Sequence, residues 1–130
     1  MRLVPFAAVL ACAAVMGGCG DQGPTPEDQV RSVLATFASA TEKRDYATLC
    51  DKVFAPKLLT GLQDIGLPCE VAMRNSLGKV DEPQLSVGQV SVKGATATAQ
   101  VKTSAKGQKP SSDTVHLTKV GDAWKISALG

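Results

Sequence analysis

The sequence predicts an α+β domain, with N-terminal helices packed on a curved four-stranded antiparallel sheet. Three observations carry this. Between residues 26 and 78 apolar side chains recur every three to four positions, the period of a helix. Beyond Pro83 the period becomes two, the period of a strand. Turn formers such as Lys93-Gly94 and Gly121-Asp122 then part the alternating runs at the short intervals of a meander.

Thr25-Pro26-Glu27-Asp28 opens the first helix. Thr25 can cap it, Pro26 suits the first turn, and the two acids favour the positive end of the helix dipole. Val30, Val33, Leu34 and Phe37 form one apolar stripe, and the helix runs to Lys43 or Arg44. Asp45 caps a second helix with Tyr46, Leu49, Cys50, Val53 and Phe54 along one side. Pro56 interrupts it and starts a further turn carrying Leu58, Leu59 and Leu62. After Gly66-Leu67-Pro68 a third helix sets Cys69, Ala72, Met73 and Leu77 on one face, with Gly78 as its C-cap.

In the second half, Leu85 and Val87 alternate, but the phase shifts to Val90 and Val92 across Gly88-Gln89. A glycine at a phase shift marks a bulge that bends the strand. Ala95, Ala97, Ala99 and Val101 alternate with Thr96, Thr98, Gln100 and Lys102. A looser turn around 106–112 leads to Val115 and Leu117, and Trp124, Ile126 and Ala128 close the sheet. There is no internal repeat.

The N-terminus is of a different kind. After Met1-Arg2, residues 3–16 run without a charge. As a helix they would rise roughly 21 Å, short of the ~30 Å hydrocarbon core, so a spanning anchor is not expected. A positive start, a short apolar stretch and small residues at its end form a secretory signal. Met16-Gly17-Gly18-Cys19 resembles the lipobox of bacterial lipoproteins, whose cysteine is acylated and becomes the first mature residue. Met16 departs from the more usual leucine. The expected division is a signal at 1–18, a lipidated Cys19 with a flexible tether over 19–25, and one domain over 26–130. An ordinary cleaved signal is the alternative. Gly18, Gly20 and Gly23 spell GxGxxG, but no strand precedes them and the cleavage point falls inside, so no dinucleotide site is implied.

Beyond position 18 there remain 112 residues, enough for one small core. Residues 21–82 carry ten acidic and seven basic side chains, whereas 83–130 carry six lysines and two aspartates. Without an arginine, and with Trp124 the sole aromatic, that C-terminal basic excess reads as a solvated lysine surface and not as a nucleic-acid site. With Cys12 in the signal and Cys19 taken by lipid, Cys50 and Cys69 form an even pair suited to a disulfide in an oxidising compartment. A zinc site would want four ligands and His116 is the single histidine; a redox pair would prefer CxxC.

A helix ending near Lys43-Arg44-Asp45-Tyr46, a short second helix, and a meander closing in Gly121-Asp122-Ala123-Trp124-Lys125-Ile126 resemble the NTF2-like (cystatin-like) superfamily. Small secreted bacterial lipoproteins with a paired cysteine in the helical half are the type it is most similar to. The resemblance covers residues 26–130 and implies helices on a curved sheet, often enclosing a cavity. The chain lacks the early β-hairpin of full-length members, which argues against a complete, deep cone-shaped pocket. The fold hosts isomerases, dehydratases, transport factors and many non-enzymes, so it implies no single activity.

Few residues offer chemistry. His116 alternates with Val115 and Leu117 and should point outward to water. Glu27, Asp28 and Asp45 serve helix starts, Asp81-Glu82 an exposed connection, and Asp113 and Asp122 loop or turn positions. Asp51 and Asp64 remain within the segment between the cysteines. With Tyr46 and Trp124 they are the candidate pocket residues; surface charge is the plainer reading for the aspartates, and a core position for Trp124. No GxSxG, P-loop or HExxH motif occurs. The expectation is a lipid-anchored domain on the extracytoplasmic face of the cell membrane. It would use no cofactor or metal and bind a small apolar molecule or an envelope protein. A small lyase or isomerase using a pocket carboxylate is the rival, and a homodimer through the outer sheet face is a third reading.

Overall fold

A computed structural model describes residues 23–130; the expected signal, the lipobox-like stretch and Cys19 lie outside the described residues. The first helix, α1 (Pro26–Lys43), begins as expected. The Asp28 N–H donates to the Thr25 hydroxyl (3.2 Å), and the Thr25 N–H donates back to the Asp28 carboxylate (3.2 Å), a reciprocal capping box. It ends on Arg44 in the left-handed region (φ 56°), where glycine is more usual.

The expected second helix is shorter than its apolar pattern. α2 (Tyr46–Thr48) passes into a π-helical turn, Leu49–Val53, and the chain then straightens at Phe54. Phe54 bridges to Ile126 in a parallel sense, and the Ala55 N–H donates to the Ile126 carbonyl (2.7 Å). Pro56 therefore begins a separate helix, α3 (Pro56–Asp64), and α4 (Cys69–Leu77) follows. The disulfide Cys50–Cys69 ties the π turn to the first residue of α4. Gly78 does cap α4, but in the right-handed region.

The strands β1 (Gln84–Lys93), β2 (Thr96–Ser104), β3 (Ser111–Val120) and β4 (Ala123–Leu129) pair in sequence order, each antiparallel to the next. The register slips between Val87 and Val90, so the bulge lies at Gly88-Gln89. Arg31 of α1 occupies the carbonyls there, donating from Nη2 to Gly88 (2.8 Å) and from Nη1 to Val87 (3.5 Å). A second slip, between the pairs Leu117↔Ile126 and His116↔Ala128, leaves Ser127 unpaired. Ala128 thus changes side. It sits beside outward-facing His116 and not, as the alternation predicts, with Trp124 and Ile126.

The core fills the space between α1, the π turn and the inner sheet face. Val30, Leu34, Leu49, Val53 and Phe54 meet Ala97, Ala99, Val101, Val115, Leu117 and Ile126, all buried. The alanines of β2 are small enough for a helix to pack closely over them.

Candidate functional site

The α1 stripe continues past Phe37 to Thr41, whose hydroxyl donates to the Phe37 carbonyl (2.7 Å). This end of the helix overhangs the sheet where β4 has stopped, since Leu129 pairs with Val115. A cleft of about 220 Å³ opens there. Phe37, Leu77, Val80 and Leu85 give it apolar walls; Thr103, Ser111 and Lys109 stand at its rim.

The polar rim follows from strand phase. Inner positions of β2 run Ala97, Ala99, Val101, Thr103, and those of β3 run Leu117, Val115, Asp113, Ser111. The same face therefore turns from apolar to polar toward the β2–β3 hairpin. Asp113, expected in a loop or turn, is a strand residue paired with Val101. The Ser111 hydroxyl donates to the Asp113 carboxylate (2.9 Å) and lies 2.9 Å from the Thr103 hydroxyl. With the Ser111 proton committed to Asp113, Thr103 is the donor between the two hydroxyls, which leaves Thr103 only acceptor capacity.

Of the four pocket candidates from the sequence, Tyr46 and Trp124 join the buried core and the two aspartates stay at the surface. Tyr46 is buried beneath Arg74, whose guanidinium carbon lies 6.0 Å from the ring centroid. Trp124 is a core residue, and its Nε1 has no hydrogen-bond partner among the described residues. Asp51 and Asp64 are exposed, on the π turn and at the end of α3. None of the four lines the cleft. His116 faces outward, as its alternation predicts. Among the described residues no three His, Cys, Asp or Glu side chains group to hold a metal ion.

The rim residues were missed for a traceable reason. Carrying the period of two beyond Val101 and back from Val115 puts Thr103, Asp113 and Ser111 on the core face. The polarity of Ser111 and Asp113 reads instead as a turn, and Thr103 carries no signal of its own in the sequence.

Helices lying on a bulged four-stranded meander, with a cleft between them, make an α+β fold of the NTF2-like kind. Solved structures share it. An NTF2-like protein of unknown function from Silicibacter pomeroyi superposes with a TM-score of 0.57 at 17% identity, over 78% of this chain and 89% of that one. Another, from Shewanella baltica, gives 0.56 at 17%, over 78% and 87%. A candidate dehydratase of the NTF2-like family from Streptomyces avermitilis gives 0.53 at 16%, over 78% and 90%. No family model and no curated protein matches the sequence. The likeness shows the fold alone.

Proposed function

We propose that this protein is a lipid-anchored extracytoplasmic binding domain, and that the cleft takes a small apolar molecule without transforming it. The observation that carries the reading is the cleft's chemistry. Its walls are apolar, its rim offers hydroxyls, and Lys109 is the one charged side chain lining it among the described residues. A general acid or base must reach the group it protonates or deprotonates, and among the described residues no carboxylate or imidazole lines this cleft. The volume falls below the ~300–1,000 Å³ of drug-sized sites. It suits a small ligand, or one segment of a longer one, with a hydroxyl or amide donor directed at Thr103. The lipobox-like Met16-Gly17-Gly18-Cys19 supports the anchor.

Native mass spectrometry of detergent-extracted protein should show a retained small molecule and an acylated N-terminal Cys19. N-phenyl-1-naphthylamine, an apolar fluorescent probe, should bind saturably, and Ala38→Phe, which fills the cleft from α1, should weaken it at least tenfold. Absence of saturable binding, or equal binding by a folded Ala38→Phe variant, would overturn the ligand reading. A mature N-terminus elsewhere, with Cys19 unmodified, would overturn the anchor.

A further inference from the structure

The outer face of the sheet holds a second hollow. Ser91, Thr98 and His116 stand side by side across β1, β2 and β3 on the face turned from the helices. Lys93 and Thr118 lie toward the tight hairpins, and Lys57 at the start of α3 helps wall the β4 side. The groove encloses about 660 Å³.

Its charge is one-sided. Outward strand positions include Lys93 and Lys102 and many Ser and Thr hydroxyls, but no carboxylate; Lys125 instead donates from Nζ to the Asp51 (3.5 Å) and Lys52 (3.2 Å) carbonyls of the π turn. Among the described residues neither Lys57 nor Lys93 makes an ion pair. Ammonium groups beside the Ser91 and Thr98 hydroxyls match an oxyanion such as a phosphate, which accepts hydrogen bonds while the lysines supply charge; the Thr96 and Thr118 hydroxyls already donate to the Lys93 and Ala95 carbonyls.

The course of α1 says where this face is held. Its C-terminal half, with Phe37 and Thr41, overhangs Leu85 and Thr103, while Arg31 is level with Gly88. Pro26 is therefore directed toward the end of the sheet bearing the Lys93-Gly94 and Gly121-Asp122 turns. From Cys19 to Thr25 is six residues, a reach of at most ~20 Å. An acyl anchor on Cys19 would hold the end of the sheet that bears Lys93 near the bilayer, within the range over which an anionic surface attracts a lysine.

We propose that the outer groove binds the phosphate-bearing headgroup of an anionic phospholipid in the membrane that carries the anchor. This rests on the lipid-anchor reading. Pairing of two copies through the same face would set lysines against lysines with no carboxylate to answer them.

The test is a titration of the detergent-solubilised full chain, followed by backbone amide NMR shifts. Dihexanoylphosphatidylglycerol should shift Thr98, His116 and Thr118, and dihexanoylphosphatidylcholine should act at least tenfold more weakly. The double variant Lys57→Gln with Lys93→Gln should lose at least tenfold in affinity, while Lys79→Gln, on the α4–β1 connection, should not. Equal response to the two lipids overturns the proposal. So does inorganic phosphate as effective as phosphatidylglycerol, a shift pattern outside the groove, or a dimer buried on this face. The titration does not use the acyl chain, so the mass of the N-terminal peptide reads failure of the anchor separately.

Discussion

The carboxylate of Asp45 accepts from both the Thr48 hydroxyl (2.7 Å) and the Thr48 N–H (3.1 Å). These bonds, the hydroxyl's foremost, hold its pKa below the ordinary carboxylate value, with Lys52 and Lys43 adding to them. A lowered folded-state pKa stabilises the fold above the unfolded value of about 3.9 and loses that contribution as pH falls through the folded value. In urea titrations the midpoint difference between parent and Asp45→Asn should hold steady above about pH 5 and shrink below about pH 4. A difference unchanged into strong acid would refute the assignment. Trp124 poses the opposite case, a donor buried without a partner. Trp124→Ala should cost about 3–5 kcal/mol through the cavity it leaves. Trp124→Phe should cost about 1–2 kcal/mol, because removing an unsatisfied N–H offsets part of the lost packing. Equal costs in chemical denaturation would show that the indole N–H contributes to stability.

Where an element's form is set by its own residues, it was legible in the sequence. Thr25-Pro26 starts α1 and Gly88-Gln89 bulges β1, both through local chemistry. The departures share one distant cause. Phe54 and Ala55 dock on the edge of β4, and this contact coincides with the end of the second helix and with the unmarked bulge at Ser127. No glycine announces either. The helical half also leans on its cross-link. Cys50 and Cys69 are separated by 19 positions, and closing a loop of that size stabilises by roughly 3 kcal/mol on the chain-entropy model. Cys50→Ala with Cys69→Ala should lower unfolding free energy by about that amount without changing the strand signature in circular dichroism. A loss below about 1 kcal/mol would mean that packing alone holds α4.

Across the whole molecule the two sheet faces differ in chemistry, and only one was partly legible. The sequence showed lysine excess in its C-terminal part; placing Lys93 and Lys102 on the outer face needed the register of the strands. The cleft lay beyond composition, because α1, the end of α4 and the β2–β3 hairpin meet there only in the folded chain. Both carboxylates being exposed, Asp51→Asn with Asp64→Asn should leave probe affinity within about threefold, roughly 0.7 kcal/mol, and cellular function intact. Loss of complementation by a folded, correctly anchored variant would restore a catalytic role. The strand order has a further consequence. An open meander exposes two rows of unpaired backbone groups, templates for adding strands from other molecules. Here Phe54 and Ala55 lie along β4, and the bulge on β1 turns two carbonyls to Arg31. Both borders are interrupted by the chain's own residues, which guards against edge-to-edge aggregation at high local concentration.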